Sequence, residues 1–298
     1  MASQRDLKRQ IGSVKNTAKV TEALQTVSGV KFRKAEARVN RARPYAENVE
    51  QMMRDVARTR SNNPLLVGRE NVTNVLVATI TADRGLAGAF NSQVLRRTME
   101  LRREKGQGAN LLQVASGRKA GAFFRFRRVD MVEAYSGFSD SPTYEKAREI
   151  GQRLTGLFED EEADEVYFVY NRFENALVQR PVVTRLIPVA PEDEGDEDGD
   201  DDERHDDGIA ATYMEYVPDA ETVLKRLVPK YVETMIWQAM LESAAGEHGA
   251  RMSAMKNATD NANELVKDLT LAMNKARQAQ ITREITEIAA GAEALSAG

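Results

Sequence analysis

An antiparallel two-helix coiled coil, made from the two ends of the chain and joined through a central Rossmann-like α/β domain, is the architecture these 298 residues predict. Three patterns lead to it. Met252, Met255, Thr259, Ala262, Val266, Leu269, Met273 and Ala276 step by 3, 4, 3, 4, 3, 4, 3, the spacing of a coiled-coil seam. A second stripe opens at Leu7, Ile11, Val14 and Ala18. Between the two ends, short β-branched runs alternate with helical patterns, which argues for a layered α/β domain.

The N-terminal helix, assigned to a region spanning 1–60, has no proline from Ser3 to Arg43. After Ala18 its stripe is expected to drift to Val20, Leu24 and Val27, as a straight helix of 3.6 residues per turn does against a 3.5-residue repeat. Pro44 is expected to kink or loosen it, and Pro64 lies beyond its end.

The central domain is assigned to 70–217. Asn74–Thr81 is a short apolar, β-branched run and predicts a buried strand. A Gly-rich turn follows, and Asn91 is placed to cap a helix running to about Lys105. Asn110–Ser116 predicts the next strand. Ser141 and Pro142 predict a helix start, with proline at the first helical position, and that helix extends to Phe158. Glu165–Tyr170, Pro181–Val189 and Ala211–Val217 read as three further strands. An acidic loop, 191–208, interrupts them.

The C-terminal coiled-coil helix is assigned to 218–298, with Pro229 marking a kink or break. From Lys230 to the end no proline occurs. A helix from Lys230 to Ala290 would be about 90 Å long. The central domain would pack into a body only about 40 Å across. The helix is therefore expected to outrun the domain, which favours a mechanical or scaffolding role over catalysis.

Charge is segregated along the chain. Glu192–Asp207 holds twelve acids and one base, a net of −11 inside a chain of net −4, so the remainder carries +7. Residues 1–60 hold fourteen Lys/Arg against six Asp/Glu. Charged protein partners follow from this pattern. The block has no apolar residue to bury and repels itself, which predicts a solvated loop. It lacks the spacing and terminal Glu of an EF-hand. With no cysteine, disulfides, thiolate metal sites and a thiol nucleophile are excluded. The segment MASQRDLKRQIG has no apolar core of a secretory signal, and no run of 18 apolar residues predicts a membrane span.

Candidate chemistry is sparse. Asp83-Arg84-Gly85-Leu86-Ala87-Gly88 follows a strand and precedes a helix, where phosphate loops sit. It matches neither GxGxxG nor GxxxxGK[ST], so a tight turn competes with nucleotide binding. The two histidines, His205 and His248, belong to no HExxH or comparable ligand cluster. Lys31, Arg33, Lys34, Arg38, Arg41 and Arg43 could meet phosphates, but without interleaved aromatics a charged helix surface explains them and nucleic acid is not expected. No catalytic residue, cofactor site or metal site is assigned. In the last helix, Arg277, Gln278 and Gln280 interrupt the seam, and an apolar stripe resumes at Ile281, Ile285 and Ile288. Either the helix pair simply ends there, or the partner helix stops and another protein surrounds the remainder.

Three segments then point to a family. IGSVKNTAKVTEALQTVSGVKFRKAE with RARPYAENV, TADRGLAGAFN, and the long run from Lys230 to Ala294 resemble the γ subunits of F-type ATP synthases, the rotating central stalk. Ile281, Thr282, Glu284, Glu287, Gly291, Ala292 and Ala294 fit that family's C-terminal signature. The resemblance implies a coiled coil inserted into a hexamer of α and β subunits, with the α/β domain meeting the ε subunit and the membrane c-ring. It implies a contact of Arg277 and Gln278 with the catalytic subunit's catch loop, and a place for Tyr216 at the foot near the c-ring. Arg suits such a contact through its fork of donors, Gln through its paired amide groups. It further implies no active site of its own, no cofactor, and a peripheral position on the cytoplasmic face of a bacterial plasma membrane. Glu22, where the family usually has lysine, and Ser28-Gly29, in place of a more alanine-rich pair, depart from the pattern. A coiled-coil adaptor with a nucleotide-sensing α/β domain is the alternative reading.

Overall fold

The structure, a computed structural model, describes residues 4–57, 64–69, 71–189 and 220–296. The acidic loop, the strand expected over Ala211–Val217, and Tyr216 lie outside the described residues. In order the elements are α1 (Gln4–Ala57), α2 (Pro64–Val67), β1 (Asn74–Ile80), α3 (Phe90–Lys105), β2 (Asn110–Ser116) and α4 (Arg118–Phe126). There follow β3 (Glu133–Tyr135), α5 (Tyr144–Glu159), β4 (Glu165–Phe173), β5 (Gln179–Ile187) and α6 (Ala220–Ser296). The chain divides into two compact units, one of residues 1–29 with 251–298, the other of Val30–Ala250.

The larger unit is built on a five-stranded sheet of order β3-β2-β1-β4-β5, parallel except for β5, which pairs antiparallel with β4. Strand side chains alternate between its two faces. Leu76, Ala78 and Ile80 of β1 join Phe168 of β4, Ile150 and Leu154 of α5, Met53 of α1 and Ile236 of α6 in one core. Val75 and Val77 point the other way, onto Val94 and Leu101 of α3. Both faces are covered, so β1 reads as an unbroken apolar run rather than an alternating one. At the sheet's start Arg69 Nη1 donates to Asp164 Oδ1 at 2.9 Å, and the other carboxylate oxygen accepts from the Thr73 and Asn74 N–H groups. Gly117, between β2 and α4, has φ +98° and a Cβ there would stand 2.1 Å from the Thr81 carbonyl oxygen, so only glycine fits.

The smaller unit is the helix pair. Thr21 and Thr259 share a hydroxyl hydrogen bond of 2.6 Å, and a Cβ at Gly29 would meet Met252 Sδ at 3.3 Å. The residue numbers of these two contacts sum to 280 and 281, so one helix ascends as the other descends and the pair is antiparallel.

Several expectations are corrected. The stripe of α1 does not drift: of the three residues expected to carry it, Leu24 is half-buried but Val20 and Val27 are 59% and 53% exposed, while Thr21, Ser28, Phe32 and Val39 are buried in continuation of Leu7, Ile11 and Ala18. Supercoiling two helices holds contact at a 3.5-residue period, so small polar residues occupy seam positions and valines face water. Pro229 does not break α6, and Pro44 likewise lies inside α1. Pro44 and Asn40, whose carbonyl it leaves unbonded, both sit on the exposed face, where water can serve that oxygen. Around Pro229 the fully buried Val228 and Val232 hold the turn in the core. Asn91 does not cap α3. It lies within the helix, and its Oδ1 accepts the Ala82 N–H at 2.8 Å. Pro142 precedes α5 rather than opening it; it is buried, and Thr143 takes the cap position.

Candidate partner-binding surfaces

The seam ends abruptly on α6. Ala276 is its last half-buried residue, and beyond it each residue whose exposure is described faces solvent. The antiparallel register explains the position: continuing the same sum carries Gln4, the first described residue of α1, opposite Ala276. Past that point Ile281, Ile285 and Ile288 are 48%, 61% and 72% exposed. At 100° per residue they form one stripe on the helix. Arg277, Gln278 and Glu284 lie within about 60° of Ile281 around the axis and so flank the stripe. Thr282 and Glu287, about 100° and 120° away, do not. Thus the structure brings four of the candidate residues onto one face and leaves two off it. The Gln280 amide donates to Glu284 at 3.0 Å, which orients that carboxylate along the flank. An apolar stripe with polar flanks, uncovered by any element among the described residues, is what a partner surface requires. Burying one isoleucine of this kind contributes about 1.5–3 kcal/mol.

The glycine-rich turn behaves differently. Asp83 Oδ1 accepts the Arg118 N–H at 3.0 Å, and Oδ2 accepts those of Gly137 at 2.8 Å and Ser139 at 3.1 Å. The next two N–H groups of α4 donate to the Ala82 carbonyl and to Thr81 Oγ1. The donors that a phosphate would use at the ends of β2 and β3 are thus bonded within the chain, three of them to a carboxylate. The sequence placed the candidate donors in the 83–88 turn itself; the N–H groups seen around an anion are those of Arg118, Gly137 and Ser139, and the anion is Asp83.

Next to Ser139 in the chain, Asp140 pairs with Lys31 of α1 at 2.5 Å, and His248 of α6 approaches the Asp140 carbonyl at 3.2 Å. Burial disfavours ionisation of Asp140, yet Lys31 and His248 outweigh it and hold the carboxyl below its ordinary range. His248 is therefore a packing residue within a polar junction of two helices and a loop. Among the described residues no group of three or more His, Asp or Glu is placed to hold a metal ion, and no helix is long and apolar enough to cross a membrane.

Comparison with known proteins accords with this geometry. A family model described as ATP synthase matches residues 3–295. The ATP synthase gamma chain of Rubrobacter xylanophilus is 67% identical over 299 residues, covering all of both chains. The chain belongs to the ATP synthase gamma chain family. The gamma chain of Pelotomaculum thermopropionicum is 44% identical, covering 99% of this chain and all of that one. Among solved structures, a chain of the Euglena gracilis mitochondrial ATP synthase (OSCP/F1/c-ring, rotational state 3) superposes with TM-score 0.67 at 18% identity, covering 99% of this chain and 95% of that one. A chain of the Tetrahymena thermophila central stalk and c-ring gives 0.59 at 20% identity, covering 80% and 99%. These two likenesses establish a shared architecture of long terminal helices around a mixed-sheet domain.

Proposed function

We propose that this chain is the central stalk of a rotary ATP synthase, turning inside a hexamer of α and β subunits and coupling transmembrane ion flow to ATP synthesis or hydrolysis. The observation that supports it best is the uncovered end of α6, where the isoleucine stripe outlasts the helix that pairs with the rest of the seam. On this reading the stalk performs no bond chemistry. It presents different faces to three otherwise identical catalytic sites and biases their conformational populations through unequal contacts. Arg277 and Gln278 bond to the catalytic subunits, and Ile281 and its stripe fill an apolar sleeve around them. Glu284 adds a flanking polar contact, while Thr282 and Glu287 meet other walls of the sleeve. Tyr216 and the α/β unit serve the ε subunit and the c-ring. The complex sits peripherally on the cytoplasmic face of the plasma membrane.

Reconstitution with α and β subunits tests the reading. Arg277→Ala is expected to lower coupled turnover about tenfold or more, the scale of a lost charge-assisted bond, while recovery of assembled complex changes less than about twofold. Equal loss of both would refute the role of Arg277. The nucleotide-sensing alternative predicts binding of labelled nucleotide to the isolated chain. With the Asp83 carboxylate already set against the neighbouring Arg118, Gly137 and Ser139 N–H groups, where it would repel a phosphate, we expect none.

A further inference from the structure

The two crossover helices α3 and α4 lie on the same side of the sheet, and both run back toward the strand N-termini. Phe124 packs with Leu95, and Phe123 and Met99 join the same cluster, so the last turn of α4 lies beside the second half of α3. One turn past Met99 stand Arg102, Arg103 and Lys105; past Phe124 stand Arg125, Arg127 and Arg128. From residue 90 to 130 there are ten Lys/Arg against three Asp/Glu. Two of those acids, Glu100 and Glu104, are taken by Arg97, and Lys105 is taken by Glu165.

In the middle of the arginines, Phe126 is 84% exposed. Helix-dipole compensation accounts for cations in the last turns of α3 and α4. It gives no reason for Arg128, which lies past the helix end at φ +56°, nor for a phenylalanine in water between arginines. Arg127 is stacked at 5.5 Å over the Phe123 ring, which holds its charge at the surface.

The geometry points to a docking surface for anionic phospholipid headgroups at the C-terminal ends of α3 and α4, with Phe126 entering the interfacial layer between paired arginine–phosphate contacts. A cluster of several cations next to one exposed aromatic is the chemistry that anionic bilayer surfaces select. The cluster exceeds what a single carboxylate could neutralise. The inference leans on the stalk reading only in that a membrane-bound complex brings this chain within reach of headgroups.

Sedimentation of the full chain with vesicles tests it, using phosphatidylcholine alone and phosphatidylcholine mixed equally with phosphatidylglycerol. We expect binding only to the anionic vesicles, weakening as salt is raised. The Arg125→Ala/Arg127→Ala/Arg128→Ala variant should lose roughly hundredfold in affinity, at about fivefold for each arginine. Phe126→Ser alone, which leaves the charges in place, should lose about tenfold. Arg33→Ala/Lys34→Ala/Arg41→Ala removes three exposed charges from α1 and should leave binding within about twofold. Circular dichroism on each variant checks folding, and the Phe126 variant keeps the test decisive if the triple variant unfolds. Absence of vesicle binding, equal loss in the α1 variant, or binding to polyglutamate but not to vesicles each overturns the proposal. Copurification with α and β subunits, measured on the same variants, separates this outcome from failure of the stalk reading: the α4 variants should copurify as the unmodified chain does.

Discussion

Asp164 shows how one carboxylate can hold a sheet to its flanking chain. It is buried, and it accepts from Arg69, from the Thr73 hydroxyl and from two backbone N–H groups. Burial alone would raise its pKa; the Arg69 pair and the N–H donors reverse that and bring it to about 2. The folded value is depressed below the unfolded value of about 3.9. Its contribution is therefore complete above about pH 4 and is lost as pH falls through about 2. Urea unfolding across that range should show the difference between the unmodified chain and Asp164→Asn shrinking with acid. At neutral pH, Asp164→Ala should lose about 3 kcal/mol, because Arg69 and two N–H groups are left without their partner. A pH-independent difference would show that Asp164 acts by shape rather than charge. Nothing in the sequence around Asp164 singled it out, because its partners lie about ninety positions away.

At the level of the helix pair, small and hydroxyl side chains take the middle of the seam. Thr21, Ser28 and Ala18 continue it after Leu7 and Ile11 on one side, and Thr259 and Ala262 follow Met255 on the other. Thr21 also bonds to the Ala18 carbonyl, and Thr259 to that of Met255, so each hydroxyl keeps a partner if the other is removed. Single Thr→Val changes at either position should therefore cost less than about 1 kcal/mol. A double-mutant cycle in thermal melts should give a coupling energy of about 0.5–1.5 kcal/mol. Zero coupling would mean the two hydroxyls do not meet in solution. The C-terminal half of this seam was legible from spacing because its positions, Thr259 aside, are apolar. The N-terminal half was misread after Ala18, since exposed valines offered a stronger signal than the buried threonine and serine.

For the chain taken together, charge distribution is the property with the most testable consequence. Deleting residues 192–207 takes the net charge from −4 to +7. Such a change alters the long-range field that every partner meets, and its effect depends on ionic strength. Coupled activity of the reconstituted complex, measured against salt, should therefore shift its profile when the block is deleted. An unchanged profile rejects an electrostatic role for the segment.

Spacing and composition were sufficient for the two long helices, for four strands of the sheet within two or three residues, and for the bare stripe after Ala276. Those features depend on local periodicity, which a chain carries in its own order. They were not sufficient for α4, whose nine residues are too few to establish a period, or for β3, whose three residues pair only because β2 is already in place. Nor could order along the chain show Asp83 meeting the N–H groups of Gly137 and Ser139, or the cation-rich ends of α3 and α4 lying on one side of the sheet. Those juxtapositions join residues far apart in sequence, and they exist only once burial of the sheet's two faces has folded the crossovers back upon it.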